Sequence, residues 1–152
     1  MKGISKKSFP YVVKDEQSLP REEQTTFWIR PAVGDRMAES QAIFERNKLR
    51  DERGNEIFDK NLSYRASVET FLHMIEKVEN YRFHEDSPNY ADGKIYEVVE
   101  DPRMLVDLYQ GLQQNVLLEI VEVHMKPGLA LKRVEEKKVG DYDVASILEG
   151  SR

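Results

Sequence analysis

Residues 104–125, MLVDLYQGLQQNVLLEIVEVHM, constrain the fold of this chain more than any other stretch. Met104, Leu105, Leu108, Leu112, Val116, Leu117, Ile120, Val121 and Met125 recur at three- and four-residue steps, the spacing that lines one side of a helix. So much apolar surface on one stretch makes it the element on which the rest must pack. Asp101 offers a side-chain acceptor to the first turn, and Pro102 has no amide proton to leave unsatisfied. Pro127-Gly128 closes the run, because proline cannot continue the amide ladder and glycine tolerates a helix exit. Gly111 divides it, which predicts helices over 102–110 and 112–125 meeting at an angle.

A second helical stripe, Tyr64, Val68, Phe71, Leu72, Ile75 and Val78, predicts a helix over 64–83 packed against 112–125. Gly34 and Asp35 open a third over 35–49, whose narrow stripe of Met37, Gln41, Phe44 and Lys48 places it on the outside of the domain or against another subunit. Alternation predicts two short strands, with Phe9, Tyr11 and Val13 along 9–14 and Phe27 and Ile29 along 25–30. The link between those strands is too long for a tight turn. Arg53-Gly54-Asn55 marks another turn, after which Ile57-Phe58 is expected to tether the loop to the core. Asp92-Gly93 marks a third turn, before an extended piece from Ile95 to Val99. The fold class is mainly α with a small β element (α+β). At 152 residues there is room for one substantial core. The expected division is a flexible basic tail at 1–8, a single globular domain at 9–128 and a C-terminal arm at 129–152.

Function has to be sought among few chemistries. The chain has no cysteine, which removes disulfides, thiolate nucleophiles and cysteine metal sites. His73, His84 and His124 lie far apart and show no metal-ligand spacing, so they read as packed or solvent-facing side chains. Acidic pairs such as Glu22-Glu23 and Asp51-Glu52 have no partner at a spacing suited to acid/base work, and the glycines form no phosphate loop. These observations predict a protein that is not an enzyme. A net charge of −5 with both signs interspersed gives no global attraction to DNA or anionic lipid. No apolar run reaches the roughly 20 residues of a membrane helix and no secretion signal is visible, so a soluble, cytoplasmically made protein is expected. The alternative to a protein-binding role is a nucleic-acid-binding regulator using the cluster Arg46, Lys48, Arg50 and Arg53.

Candidate protein contacts lie near the ends of the chain. Phe9, Tyr11 and Val13 on one side, and Tyr142, Val144, Ile147 and Leu148 on the other, are apolar groups flanked by charge. Trp28, the only tryptophan, is read as either a residue closing one end of the core or an interface anchor, and Arg30, which ends the strand, is counted with it among the candidate contacts.

Three stretches resemble small proteins encoded among the structural and tail genes of tailed bacteriophages. They are YVVKDEQSLPREEQTTFWIRP at 11–31, the Asp92-Gly93-Lys94 loop running into Val99, and the leucine-rich helix pair that opens at Asp101. The resemblance implies a virion, neck or tail-assembly component that binds other phage structural or assembly proteins. It also implies repeated copies in a ring or tube, no cofactor, and a place in the host cytoplasm during assembly or in the mature particle. The chain departs from that pattern in its 64–83 segment and in running on to Tyr142 and Leu148.

Overall fold

The computed structural model describes Met1 and residues 3–128. The candidate contacts Tyr142, Val144, Ile147 and Leu148, with the rest of the 129–152 arm, lie outside the described residues. In chain order the elements are β1 (Phe9–Tyr11), β2 (Thr26–Ile29), α1 (Asp35–Arg46), β3 (Leu49–Arg50), β4 (Glu56–Ile57) and α2 (Lys60–Met74). They continue as β5 (Ile75–Tyr81), β6 (Tyr96–Val99), α3 (Pro102–Gly111) and α4 (Gln114–Met125). Strands β1, β2, β5 and β6 form one antiparallel sheet in the order β1-β2-β5-β6, and β3 and β4 form a separate two-stranded ribbon. The mainly helical class with a small β part stands as read from the sequence.

The core lies between this sheet and three helices. Phe27, Ile29, Ile75, Val78 and Val99 from the sheet meet Phe71 and Met74 of α2, Leu105 and Leu108 of α3, and Ile120 and Val123 of α4. Burial on this scale, at about 25 cal/mol per Å² of apolar surface, is what orders the layers. The helix α1 stands outside that cluster and packs on α2.

The expected helix over 64–83 is corrected at both ends. It begins at Lys60, because the Asp59 carboxylate accepts from the Leu62 amide at 2.9 Å and caps the first turn. It ends at Met74, and Ile75–Tyr81 is strand β5 in the middle of the sheet. A bulge explains why this strand resembled a helix. Ile29 pairs with Ile75 but Trp28 pairs with Lys77, so Glu76 is an extra residue on β5. The bulge puts Ile75 and Val78 on one face at a three-residue step, which is helical spacing within extended chain.

Other boundaries shift for local reasons. The helix expected over 35–49 stops at Arg46, where the Asn47 side-chain amide donates to the Ile43 carbonyl at 2.8 Å and the chain turns into β3. It turns Ser40 and Ile43 inward, while Phe44 of the expected stripe is 51 % exposed. The strands expected over 9–14 and 25–30 pair as read but span only Phe9–Tyr11 and Thr26–Ile29. Val13 and Gln24 flank them at the ends of two 3-10 turns, Lys14–Glu16 and Arg21–Glu23. Pro10 lies in edge strand β1, a place where proline is tolerated and discourages further strand pairing.

The break at Gly111 and the Asp101 cap hold, with Asp101 accepting from the Arg103 amide at 2.8 Å. The second helix of the pair starts at Gln114 instead of 112, because Leu112 and Gln113 are extended. A Cβ at position 111 would lie 3.3 Å from the Tyr81 hydroxyl, which favours glycine at the corner. The α2 helix packs mainly on α1 and α3, not along α4. It meets α4 at its last turn, where the His73 and His124 rings stand 6.0 Å apart edge to face.

Asn80 fixes the long link between β1 and β2. It adopts φ +61°, a left-handed conformation that asparagine accepts more readily than most residues. Its side-chain amide donates to the carbonyls of Glu22 and Gln24, each at 2.8 Å, and its own carbonyl accepts from the Thr25 hydroxyl at 3.0 Å. Asn80→Ala is expected to cost about 2 kcal/mol, from lost hydrogen bonds and left-handed strain together. Asn80→Gly, free of the strain, should cost less. Denaturant midpoints of the two variants separate the terms, and equal losses would show that backbone strain plays no part.

Candidate functional site: interaction surfaces

The expected interface residues at the start of the chain are used inside the domain. Tyr11 and Val13 are buried, and Phe9 packs against the core. The Tyr11 hydroxyl donates to Glu119 of α4 at 2.6 Å, and the same carboxylate accepts from the Lys14 amide at 2.9 Å. These groups therefore join β1 to α4. Ile57 and Phe58, expected to tether their loop, are 46 % and 82 % exposed instead. The β3–β4 ribbon and the residue after it carry Leu49, Ile57 and Phe58 outward.

The second exposed apolar surface is on α4. Ile120 and Val123 face the core, yet Leu118, Val121 and Met125 are 60 %, 37 % and 40 % exposed. Their spacing of three and four residues sets them in one outward stripe. The helix is thus apolar on two sides, a pattern that belongs to helices covered from both.

The basic cluster reads differently once placed. Arg46 pairs with Glu69, Lys48 lies 3.0 Å from Glu45 and 3.1 Å from Glu56, and Arg50 lies 3.6 Å from Glu45 and 3.9 Å from Glu56. Hydrogen bonds donated to Glu45 and then to Glu56 raise the Lys48 pKa, and the bond accepted from Lys48 leads the causes that lower that of Glu45. These cations already have anionic partners within the chain. Arg53 is exposed beside them on the turn.

Trp28 and Arg30 sit together at one end of the sheet. The Trp28 indole donates to Glu79 and holds Lys77 over its ring, 4.8 Å from the centroid. Arg30 donates to the carbonyls of Leu72, His73 and Ile75, at 3.2, 3.4 and 3.0 Å, so its charge closes the C-terminal end of α2. Burial, followed by the positive charge of Arg36, lowers the Arg30 pKa.

Behind Arg30 lies a buried polar group that the sequence did not single out as a unit. The Ser40 hydroxyl is 3.1 Å from His124 Nε2, and His124 Nδ1 is 2.6 Å from the Arg30 carbonyl. The neutral ring with its proton on Nδ1 satisfies both, donating to the carbonyl and accepting from the serine. Burial first, with His73 and Arg36 adding, lowers the His124 pKa against the opposing bond to Arg30. Serine and histidine at this distance suggest a nucleophile and its base, but they are only 4 % and 1 % exposed. Both groups are turned away from solvent, and their bonds tie α1, α4 and the end of β2 together. Only the near-apolar setting of His124 in its helix hinted at this in the sequence.

Among the described residues no group of three or more His, Asp or Glu side chains could hold a metal ion. Among them, too, no helix is long and apolar enough to cross a membrane. Compared with protein-family models, with curated proteins and with solved structures, the chain matches none.

Proposed function

We propose that this protein is a non-enzymatic bacteriophage virion or tail-assembly component that works through protein–protein contacts, in repeated copies in a ring or tube, and that it acts in the host cytoplasm during assembly. The observation that carries the contact part is the second apolar side of α4, where Leu118, Val121 and Met125 lie outward. The phage part rests on the likeness of residues 11–31, of the loop from Asp92 to Val99, and of the helix pair opening at Asp101. The ion pairing of Arg46, Lys48 and Arg50 within the chain gives the nucleic-acid reading no added support.

Leu118→Lys with Val121→Lys tests the reading. Covering one such side chain is worth about 1.5 kcal/mol or more, so the double variant should associate at least about tenfold more weakly with neck or tail partners while melting at the same temperature. Co-sedimentation with those partners, next to a melting curve, measures both. Unchanged association would remove the stripe as the contact, and a lowered melting temperature would show that the chain itself covers it.

A further inference from the structure

A groove of about 450 Å³ opens between the segment before β1 and the bulged part of β5, with Arg36 of α1 at its side. Lys6, Lys7, Arg30, Arg36 and Lys77 line it, against the one carboxylate of Glu76, which accepts a hydrogen bond from Ser8. Unlike the cluster around Lys48, none of these five cations forms an ion pair within 4.0 Å among the described residues. Five cations against one carboxylate thus concentrate positive charge here, on a chain whose net charge is −5. Like charges gathered in a partly desolvated hollow repel one another until an anion joins them. Burial is the first cause that lowers the Arg30 pKa, the charge of Arg36 adds to it, and the Glu76 carboxylate opposes both.

We propose that this groove binds an acidic polypeptide segment of a partner protein. A polypeptide is favoured over a nucleic acid by three observations. Glu76 in the lining would oppose a continuous phosphate backbone, and the net negative chain would repel a long polyanion beyond the groove. Lys77 also occupies one face of Trp28, where a base would stack. A short run of glutamates or aspartates meets the lysines and Arg36 with few charges and leaves the indole in place. Arg30 contributes charge from behind while its guanidinium stays on the end of α2.

The inference rests on the reading of the protein as a partner-binding component, but its test does not require the partner. Trp28 is the only tryptophan and lines the groove, so its emission reports occupancy directly. Titration of the full chain with a hexaglutamate peptide at low salt should give a saturable change in emission that weakens as salt rises. Lys6→Glu with Lys7→Glu, at exposed positions away from the core, should weaken it at least about tenfold, as should Arg36→Glu. Leu118→Lys should leave the titration unchanged. No response to the peptide, an unaltered titration in the charge-reversed chain, or tighter binding of a thymidine dodecanucleotide would overturn the proposal. An equal response to inorganic phosphate would do the same, by reducing the groove to a general anion site. Peptide binding without any association with neck or tail proteins would overturn the phage reading alone, and the reverse pattern would overturn only the groove.

Discussion

Phe71→Ala should lower the stability of the protein by about 3–5 kcal/mol, the largest loss expected from any single change described here. Phe71 is 1 % exposed near the end of α2, where the helical layer meets the sheet. Its ring lies 5.2 Å from that of Tyr109 on α3, tilted by 49°, so the change removes an aromatic contact as well as volume. Surrounding side chains come from α2, α3, α4 and the sheet, and no single one can move to fill the space without leaving its own partners. A fall in the melting midpoint of about 10 °C follows for a chain of this size. Denaturant titration should show the same loss with an unchanged slope. A loss below about 1 kcal/mol would mean that the layers meet elsewhere.

The second large effect is at His124. Replacing it by leucine keeps much of the volume but leaves the Ser40 hydroxyl and the Arg30 carbonyl without the bonds at 3.1 and 2.6 Å. Each orphaned group costs about 1–3 kcal/mol. A total of about 3 kcal/mol is therefore expected, measured by denaturant midpoint. The same residue gives the protein a pH dependence of predictable sign. The folded pKa of His124 lies below its ordinary value, so under mildly acidic conditions the unfolded chain binds a proton that the folded chain refuses. The contribution is fully present above about pH 6.5 and is lost as pH falls from there through the lowered folded value. His124→Gln, which does not titrate, should flatten the stability profile below about pH 6.5. An unchanged profile would place the titration on another group.

The sequence made some parts of this fold legible and concealed others for identifiable reasons. The α3–α4 pair could be read because its signals are local: a capping Asp101, a proline in the first turn and a glycine at the corner. The Asp92-Gly93 turn was equally plain, since both residues take positive φ and the Lys94 amide returns to the Ala91 carbonyl at 3.0 Å. Strand β5 was hidden by its bulge, which gave Ile75 and Val78 the spacing of a helix. The basic groove was hidden because its cations come from positions 6, 7, 30, 36 and 77, and only the fold gathers them. A linear reading favours the denser cluster at 46–53, where nearby carboxylates in the folded chain answer the charge. Phe9, Tyr11 and Val13 were read as a contact for a partner, because their alternation near one end of the chain does not show that the chain's own core covers them.

At residues 74 and 75 the helix α2 passes into strand β5 without an intervening loop. Helix and strand share the carbonyls that Arg30 holds, and the Arg30 amide itself donates to the Met74 carbonyl at 2.7 Å. The same arginine thus ties the end of the helix and the start of the strand to the residue that follows β2. An opening that frees the end of the helix has also to release the Met74 and Ile75 carbonyls from Arg30 at the edge of the sheet pairing, which couples the two elements.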